Sequence, residues 1–528
     1  MSNNQNKYIL AIDHGTSGGK VAIVSTTGEV VDWAFNETPM ILGEGGRAEQ
    51  DPDVWWDAIV KSSQEVIQKG RVKIEDIVGI CNTSQWSGTV PVDKDGNHIM
   101  NNISWMDTRG AKQMEKLYSG LLKVDNYNLI KALKYIRKTG GAPTPSGKDS
   151  IAHIMWLKEE RPEIYEKTYK FLEPQDYINL KLTGKIAASY ASIHLHWVTD
   201  TRNIENIKYS NGLVRMVKID REKLPDLKNS VDILGPITNK VADLLGLDKK
   251  TKVVMGAPDL HAAAVGSGAI KNYQGHICVG TSDWLLLHVP KMGTDIDHNF
   301  GTVVSALPGK YLLSNEQEIA GGCLSFLRDN VLYHKDELLS EEEVPDVYKI
   351  FDKIVEGVKP GSDKLIFTPW LYGERAPKAD HTIRGGLYNI SLETNREHII
   401  RAIFEGVAYN VRWLHMYIEK FIKRKLDNLH IIGGGANSRI WCQIFADVLD
   451  RNIKQVKNPI QSNARGAALI GALGLGYIEQ KDIAKHTEIN EIFKPNPKNK
   501  TIYNQLFKEY VNIYKAMKKI YKRLNKSH

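Results

Sequence analysis

The stretch Tyr8–Ile23, with the sequence YILAIDHGTSGGKVAI, combines an apolar run, a tight turn and a second apolar run. The residues before Asp13 predict a buried strand, the turn carries Gly15–Ser17, and another strand is predicted after Lys20. The stretch therefore predicts a hairpin whose tip offers a carboxylate, backbone N–H groups, two hydroxyls and an ammonium. Glycine lets the backbone approach a phosphate closely, hydroxyl and N–H groups donate hydrogen bonds to it, and a carboxylate suits a divalent cation.

A second copy of this pattern lies about half of the 528-residue chain away. Residues His276–Val289 read HICVGTSDWLLLHV, in which Gly280, Thr281 and Ser282 again join two apolar runs. One such pattern is equally compatible with an ordinary hairpin. Its repetition predicts two similar domains that face each other, each of which supplies one phosphate-binding turn.

The composition is typical of a globular protein. A chain of 528 residues predicts more than one domain, with 42% hydrophobic and 25% charged residues. No apolar run approaches the ~20 residues that cross a bilayer, so no membrane is expected as a partner. The polar N-terminus MSNNQNK lacks the apolar core of a secretory signal. Four separated cysteines without a C-x-x-C pair predict reduced thiols in a cytoplasmic protein, and neither disulfides nor a zinc site.

The net charge of +8 comes entirely from the C-terminal segment. Residues 481–528 carry 12 Lys and Arg against 4 Asp and Glu, so the remaining chain has no net charge. Between these lysines, Leu506, Tyr510, Ile513 and Met517 recur at helical spacing. The segment predicts a helix packed on the protein with a solvated lysine face, and no nucleic acid is expected as a partner. A tail that binds a polyanion is the alternative.

Two predicted strands lead into polar segments. Ile77–Cys81 predicts a buried strand that continues into Thr83-Ser84-Gln85-Trp86-Ser87-Gly88. Because functional groups of open α/β sheets lie beyond strand ends, this exit is a candidate ligand-binding edge. Lys252–Gly256 predicts another strand, followed by Asp259 and a helix over Ala262–Ala269. An acidic residue in that place can serve chemistry or, more commonly, cap the helix.

Trp105, Asp107 and Arg109 combine an aromatic ring with an ion-pairing couple. Stacking on an aromatic ring together with hydrogen bonds is a common way to bind a polyol. An Asp–Arg pair that stabilises a loop beside a core tryptophan is an equal alternative.

A glycine-rich turn, Gly433-Gly434-Gly435-Ala436-Asn437-Ser438, follows the predicted strand Leu429–Ile432. Three glycines remove side chains where a flat ligand lies against the backbone, whereas a plain tight turn needs only one. Asn463–Gly476 predicts a helix rich in Ala and Gly that is suited to close packing, and Tyr165–Leu182 predicts a single helix. Gly373-Glu374-Arg375 predicts a loop with a structural ion pair.

In this order along the chain, the motifs resemble those of the FGGY carbohydrate kinases, which belong with actin and Hsp70 to a group of duplicated ATPase domains. Asp13–Ser17 and Gly280–Ser282 are similar to the two phosphate loops of that family. Gly256–Asp259 resembles the segment with its catalytic aspartate, and Gly433–Ser438 resembles its adenosine side. Similarity to the xylulokinase-type branch extends over Glu49–Pro52, Trp55-Trp56, Trp105–Arg109, Pro174–Tyr177 and Gly373–Arg375.

The resemblance implies an α/β fold with two duplicated actin-like (ribonuclease H-like) ATPase domains around a central cleft. Residues 1–255 would form the sugar-binding domain, 256–480 the ATP-binding domain and 481–528 a basic helical extension. The implied reaction is transfer of the γ-phosphoryl group of ATP to a hydroxyl of a sugar, such as the ketopentose xylulose or a related sugar or polyol. A homodimer is a candidate oligomeric state, on which the sequence itself is silent.

The resemblance also implies roles for single residues. Asp259 would accept the proton of the attacking hydroxyl and, with Asp13, would order Mg²⁺ and its waters. Sugar binding is assigned to Gln85, Trp86, Trp105, Asp107, Arg109 and Asp259. ATP binding is assigned to Gly15, Thr16, Ser17, Lys20, Gly280, Thr281, Ser282, Gly434, Gly435 and Asn437.

The sugar end departs from the xylulokinase pattern. Xylulokinases usually carry Gln-Met-His-Gly where this chain has Gln85-Trp86-Ser87-Gly88. An actin-like ATPase or regulatory nucleotide-binding protein that phosphorylates no sugar is the alternative function. Asp259 argues against this alternative, because a protein that only clamps nucleotide has no use for a base there.

Overall fold

A computed structural model describes residues 7–121, 123–124, 126–332 and 346–525. The first six residues of the polar N-terminus and the last three of the basic extension therefore lie outside the described residues. Two large mixed β-sheets organise the protein. We call the part around the first sheet, within residues 8–254, lobe 1, and the part around the second sheet, within residues 275–493, lobe 2.

The sheet of lobe 1 has six strands in the order β5-β6-β4-β1-β2-β3. Its first hairpin is antiparallel, whereas β4 runs parallel to both β1 and β6. The strands are β1 (Tyr8–Gly15), β2 (Gly18–Ser25), β3 (Val30–Glu37), β4 (Ile77–Ser84), β5 (Ile233–Pro236) and β6 (Lys252–Val254).

The sheet of lobe 2 has eight strands in the order β9-β10-β11-β8-β7-β12-β13-β14. They are β7 (Gly275–Val279), β8 (Asp283–Val289), β9 (Thr294–Asp295), β10 (Phe300–Val304), β11 (Tyr311–Ser314), β12 (Asn428–Ile432), β13 (Asn452–Val456) and β14 (Ile489–Phe493). The hairpin β7–β8 repeats β1–β2, the antiparallel β11 repeats β3, and the parallel strands β12 and β13 repeat β4 and β6. The predicted duplication of an α/β domain is confirmed.

Seven helices position the site or join the lobes. They are α1 (Pro52–Gln68), α2 (Pro174–Thr183), α3 (Asp259–Gly266), α4 (Arg396–Ile422), α5 (Arg439–Leu449), α6 (Ser462–Gly474) and α7 (Lys500–Leu524). The other helices span Ala111–Leu117, Leu129–Thr139, Ser150–Glu160, Pro162–Lys167, Asn211–Val217, Asn239–Leu245, Gly322–Leu327 and Val347–Gly357. Short strands span Ile41–Leu42, Ala48–Gln50, Val90–Val92, Asn102–Ile103, Lys123–Val124, Tyr127–Asn128, Lys170–Leu172, Ala188–Ser189, Thr199–Asp200, Lys208–Tyr209, Leu227–Lys228, Ile366–Thr368 and Gly386–Tyr388.

Helices α3 and α6 cross at very close range and connect the lobes. A Cβ atom on Gly266 would lie 1.8 Å from the carbonyl oxygen of Ser462, and one on Gly466 would lie 1.8 Å from that of Ala262. Only glycine permits this approach of two backbones. Although α6 follows β13 of lobe 2, it packs on β1 and β4 of lobe 1. The close packing predicted for this Ala- and Gly-rich helix is confirmed.

The single helix predicted over Tyr165–Leu182 is wrong. The segment forms a helix over Pro162–Lys167, a strand over Lys170–Leu172 that pairs with Val90–Val92, and then α2. Pro174 is the first residue of α2. Proline disfavours a helical conformation in the residue before it and has no N–H to donate, so it starts a new helix instead of continuing one.

The helical spacing of the basic C-terminal segment corresponds to α7, which packs in lobe 2. The hydroxyl of Tyr503 donates to Glu405 at 2.9 Å, and that of Tyr510 donates to Asn410 at 2.8 Å. Both tyrosines are fully buried, so this part of α7 belongs to the core. No helix among the described residues is long and apolar enough to cross a membrane.

Candidate active site

The first hairpin tip is held by a ring of side-chain hydrogen bonds. Thr16 Oγ1 accepts from Trp105 Nε1 at 3.0 Å and donates to Gln85 Oε1 at 3.3 Å. Gln85 donates to Gln50 Oε1 at 2.7 Å, and Gln50 donates back to the Thr16 carbonyl oxygen at 2.8 Å. Two residues predicted to bind the sugar, Gln85 and Trp105, are thus joined directly to a residue predicted to bind phosphate.

Asp13 lies on β1 directly opposite Lys20 on β2. Its Oδ2 is 3.3 Å from Lys20 Nζ, and its Oδ1 accepts from Asn463 Nδ2 of α6 at 3.5 Å. Both contacts are long for hydrogen bonds to a charged group. Because Asn463 belongs to α6, which follows β13 of lobe 2, the Asp13 carboxylate lies between the lobes. Because both contacts are long, its lone pairs are available for water or a cation.

Asp259 is the first residue of α3 and is half-buried. Its Oδ1 accepts from the backbone N–H of Leu260 at 2.7 Å, and Pro258 takes the capping position, so the interpretation of Asp259 as the helix cap is wrong. Burial, followed by the negative charges of Asp13 and Glu316, raises the pKa of Asp259 to about 7. Asp259 also helps to raise the pKa of the Cys278 thiol, on β7, although burial and Asp283 contribute more. The carboxyl group of Asp259 therefore lies within electrostatic range of both hairpins.

Trp86 connects the strand exit of lobe 1 to α3. Its indole edge packs on the ring of His261, with ring centroids 4.9 Å apart, and its Nε1 donates to the Ser192 carbonyl oxygen at 2.8 Å. It also packs against an apolar cluster beside Leu260 and Trp284. Trp86 thus lies against α3 two residues from Asp259, and it packs on the same cluster as Trp284, which follows the second hairpin tip by two residues.

Asp107 and Arg109, which follow Trp105 in the chain, form a largely buried ion pair. Arg109 Nε donates to both oxygens of Asp107, at 3.1 and 2.9 Å, and the backbone N–H of Ala48 donates to Oδ2 at 2.9 Å. Arg109 also donates to Glu49 at 2.7 Å and stacks on Trp156 at 4.2 Å. Asp107 has no exposed surface. These contacts favour the loop-stabilising interpretation of this pair.

The second hairpin tip is held by backbone hydrogen bonds instead. The Thr281 carbonyl oxygen accepts from the N–H groups of Ala320 and Gly322, at 2.8 and 3.1 Å, and that of Gly280 accepts from Gly321 at 2.9 Å. The Thr281 side chain is exposed. The turn is therefore fixed without use of its hydroxyl groups in these contacts.

Asp283 directly follows the second tip and was not predicted as a functional residue. It is fully buried, and among the described residues no group forms a hydrogen bond with either carboxylate oxygen. Burial, followed by the charges of Glu374 and Glu316, raises the pKa of Asp283 well above its usual range. Its place right after Gly-Thr-Ser is the one sequence signal that could have singled it out.

The ion pair predicted for the loop Gly373-Glu374-Arg375 forms with partners outside the loop. Arg375 pairs with Glu316 and with Glu318, whose Oε1 lies 2.6 Å from Arg375 Nε. Glu374 accepts from Asn410 Nδ2 at 2.5 Å, and burial raises its pKa to about 7. The sequence could not indicate Glu316 and Glu318 as the partners of Arg375, because they lie almost sixty residues away along the chain.

The glycine-rich turn after β12 has two kinds of glycine. A Cβ atom on Gly433, at φ +88°, would lie 2.6 Å from the Val279 carbonyl oxygen, and one on Gly435 would lie 2.5 Å from Val279 Cγ1. A Cβ atom on Gly434 would meet nothing within 4 Å, and Asn437 is exposed. Two of the three glycines are thus needed for packing on β7, and only Gly434 leaves an open surface.

Known protein families account for this arrangement of two lobes. Residues 8–266 match the N-terminal domain of the FGGY family of carbohydrate kinases, and residues 275–475 match its C-terminal domain. The chain belongs to this family. Members of the FGGY family are carbohydrate kinases, and the family implies that ATP donates the phosphoryl group.

Full-length relatives of this FGGY kinase include proteins with different sugars in their names. The xylulose kinase of Bacillus subtilis is 29% identical over 96% of this chain and 97% of its own length. The gluconokinase of Bacillus licheniformis is 25% identical over 97% of both chains. Among solved structures, a xylulose kinase from Lactobacillus acidophilus has a TM-score of 0.85 at 25% identity, and covers 98% of this chain and 100% of its own.

Proposed function

We propose that this FGGY kinase transfers the γ-phosphoryl group of ATP to a hydroxyl group of a ketopentose, for which D-xylulose is the first candidate. The position of Asp259 carries the proposal: a half-buried carboxyl group at the start of α3, within electrostatic range of both hairpins. The similarity to xylulose kinases over nearly the whole chain supports the choice of sugar.

In the proposed reaction, Asp259 accepts the proton of the acceptor hydroxyl as its oxygen attacks the γ-phosphorus. A pKa of about 7 suits a general base, because the group is then available at neutral pH and still basic enough to take a proton. The transition state of phosphoryl transfer is loose and rich in charge, so positioning and electrostatic stabilisation supply most of the rate. Closure of the lobes would exclude water, which competes as an acceptor.

The phosphate groups of ATP would lie between Gly15–Ser17 of lobe 1 and Gly280–Ser282 of lobe 2. Lys20 would add a positive charge on the side of the first turn. We assign the adenosine to the exposed surface beside Gly434, Gly435 and Asn437. This division makes residues 1–255 the sugar-binding domain and 256–480 the ATP-binding domain, with 481–528 as an extension of the latter.

Asp13 and Asp259 are the proposed magnesium ligands, directly or through water. Their carboxylates fit this ion, because Asp13 has only long contacts and burial disfavours the charged form of Asp259 in the absence of a cation. Mg²⁺ prefers oxygen ligands, commonly keeps several waters and takes few protein carboxylates. When bound, the ion neutralises charge on the phosphate oxygens.

The sugar would bind against Gln85, Trp86 and Trp105, at the junction of the first hairpin tip and α3. Asp107 and Arg109 would act there by holding the loop that carries Trp105. A homodimer and a cytoplasmic location stay predictions from the sequence.

A substrate screen tests the proposal. Purified protein is incubated with ATP and Mg²⁺, and ADP release is measured with pentuloses, hexuloses, aldonates and polyols, with the Asp259→Asn variant as the control. We expect the highest kcat/KM for a ketopentose. ATP hydrolysis that no sugar accelerates would indicate a nucleotide-binding protein of another kind, and a clear preference for gluconate would overturn the choice of sugar.

A further inference from the structure

Two carboxyl groups are buried at the start of α2, beside the segment Gln85–Gly88 that follows β4. Glu173 directly precedes α2 and Asp176 lies in its first turn, and their side chains are 1% and 0% exposed. Among the described residues, neither forms an ion pair with a lysine or an arginine. His196 Nδ1 lies 3.4 Å from Glu173 Oε1, but burial lowers the pKa of His196 to about 3. Burial of a carboxyl group without a cation is costly, so this pair calls for an explanation.

Glu173 holds the backbone of the segment that carries Gln85 and Trp86. Its Oε2 accepts from the N–H of Gly88 at 3.1 Å. Its Oε1 accepts from the hydroxyl of Ser150, which also lies 3.3 Å from the Gly88 carbonyl oxygen. A Cβ atom on Gly88 would lie 2.5 Å from Cγ of Pro174, so the backbone at Gly88 packs directly on the first residue of α2.

The residue before Gly88 has an unusual conformation. Ser87 has a φ of +66°, in the left-handed region that residues with a side chain rarely adopt. Its hydroxyl donates to the Lys148 carbonyl oxygen at 3.0 Å. Such a conformation persists only where the surrounding contacts determine it. The hydrogen bond from Gly88 to Glu173 is one of these contacts.

Asp176 holds the ring of Trp86 and not its backbone. Its Oδ2 accepts from the hydroxyl of Ser192 at 2.8 Å. The backbone N–H of Ser189 donates to the Ser192 hydroxyl at 3.0 Å, and that of Ser192 donates to the Ser189 hydroxyl at 2.9 Å. The carbonyl oxygen of Ser192 accepts from Trp86 Nε1 at 2.8 Å. Asp176 therefore fixes the residue that orients the indole.

We propose that Glu173 and Asp176 are positioning residues for the acceptor sugar. Glu173 fixes the backbone that carries Gln85 and Trp86, and Asp176 fixes the orientation of the indole. Neither carboxyl group contacts the sugar. The inference rests on the proposed function, in which Gln85 and Trp86 bind the sugar. Binding residues need such support, because they must be held within about 0.5 Å of their productive geometry.

The indole that these residues hold also contacts the helix with the proposed base. The ring of Trp86 packs edge-on on His261, with ring centroids 4.9 Å apart. His261 Nε2 donates to the Val304 carbonyl oxygen of β10 at 2.9 Å, so its ring is fixed to lobe 2. Asp259 precedes His261 by two residues. A sugar that binds against Trp86 is therefore placed relative to Asp259 by the same contacts.

Glu173→Leu and Glu173→Gln test the backbone contact. Leucine is similar in size but leaves the buried Gly88 N–H without an acceptor, whereas the glutamine carbonyl oxygen can still accept. In Glu173→Leu we expect KM for the ketopentose to rise roughly 10-fold, with KM for ATP changed less than about twofold. Glu173→Gln should recover most of the loss. Tyr165→Phe, which removes two hydrogen bonds to Asp220 elsewhere in lobe 1, is the matched control and should keep both KM values.

A double-mutant cycle tests Asp176. Asp176→Leu removes the acceptor of the Ser192 hydroxyl, and Trp86→Phe removes the indole N–H. Each should raise KM for the sugar, but the double variant should have no higher KM than Trp86→Phe alone, because both changes break one chain of contacts. Additive effects would overturn this role of Asp176. Ser192→Ala breaks the same contact with a smaller change and replaces Asp176→Leu if that variant does not fold.

The indole N–H of Trp86 gives a readout that does not depend on activity. The chain has 11 tryptophans, and the signal of Trp86 in the two-dimensional NMR spectrum of ¹⁵N-labelled protein is the one that Trp86→Phe lacks. Glu173→Leu and Asp176→Leu should both shift this signal, whereas Tyr165→Phe should not. The thermal unfolding midpoint of each variant shows that the fold is kept.

The outcomes separate this inference from the proposed function. If the wild-type protein phosphorylates a ketopentose while Glu173→Leu and Asp176→Leu keep its KM and the Trp86 signal, the inference is wrong and the proposed function stands. Equal losses in KM for ATP and for the sugar would also overturn it, since the two carboxyl groups would then only stabilise lobe 1. If the wild-type protein phosphorylates no sugar, the proposed function itself fails.

Discussion

The two hairpins share one topology but carry different chemistry. In β1–β2, the residue two positions before the first glycine of the tip is Asp13, and it lies opposite Lys20. In β7–β8 the corresponding position is Cys278, which lies opposite Trp284. The first tip is fixed by side-chain hydrogen bonds in addition to the backbone N–H of Thr38, which donates to the Ser17 carbonyl oxygen at 3.0 Å, whereas the second is fixed by backbone hydrogen bonds to a neighbouring loop.

This difference shows that a duplicated fold does not require duplicated roles. The hairpin of lobe 1 carries the charged pair Asp13 and Lys20. The hairpin of lobe 2 carries no such pair at the matching positions, and its Trp284 packs against an apolar cluster. Asp259, which lies at the start of the helix that connects them, is within electrostatic range of both. We therefore expect substitutions in the first hairpin to affect the reaction far more than substitutions at matching places in the second.

The largest effect is expected for Asp259→Asn, which removes the base between the hairpins. Turnover of the sugar should fall ~10²–10⁴-fold, the usual contribution of a general base, while sugar binding measured by calorimetry stays similar. Asp95→Asn, on an exposed turn, is the matched control. Near-normal turnover in a folded Asp259→Asn protein would exclude Asp259 as the base.

The second prediction compares Asp13→Asn with Cys278→Ala, which occupy matching places. Loss of the Asp13 charge should reduce kcat or raise the magnesium concentration needed for half-maximal activity by roughly 10- to 100-fold, the usual effect of disturbing a metal environment. Cys278→Ala should leave both quantities nearly unchanged. Similar effects of the two substitutions would contradict the proposed difference between the hairpins. The measurement is a magnesium titration of initial rates at saturating ATP and sugar.

The third prediction concerns pH. Because Asp259 acts in its deprotonated form and its pKa is raised to about 7 in the absence of a cation, kcat/KM for the sugar should fall at acid pH, with a midpoint at or below about 7 once Mg²⁺ favours the carboxylate. The decrease should approach tenfold per pH unit, the behaviour of a single essential base. Rates measured between about pH 5 and pH 8 check this expectation, and Asp259→Asn should lack the acid limb. An unchanged acid limb in that variant would assign the titration to another group.

The smallest effect is expected from a comparison of Thr16→Val with Thr281→Val, measured by urea unfolding. Thr16→Val removes the partner of Trp105 Nε1 and of Gln85 and should lower the free energy of unfolding by about 1–3 kcal/mol. Thr281→Val changes an exposed side chain and should lower it by less than about 0.5 kcal/mol. Equal losses would show that the first tip does not depend on its side-chain ring.

The sequence predicted the elements whose signals are local. Both hairpins, the strand that leads to Gln85 and the strand before Asp259 follow from short apolar runs that end in glycine or polar residues. The glycine-rich turn was also located, but two of its glycines are required for packing on Val279 whether or not a ligand binds there. A single sequence cannot distinguish these two reasons for a glycine, because both appear as the same residue.

The remaining features depend on tertiary contacts. Arg375 pairs with Glu316 and Glu318, which lie almost sixty residues away along the chain. The apolar spacing over Tyr165–Leu182 predicts one helix, but Pro174 starts a new helix and a short strand precedes it. Asp283 was overlooked because its burial without partners is visible only in three dimensions.

A crystal structure with a nonhydrolysable ATP analogue, Mg²⁺ and D-xylulose would test the central claim most directly. We expect the terminal phosphate to contact the backbone of both Gly15–Ser17 and Gly280–Ser282, with a sugar hydroxyl within hydrogen-bond distance of Asp259. A terminal phosphate bound by one tip alone, or a sugar bound away from Asp259, would contradict the proposal that the two hairpins act on the same phosphoryl group.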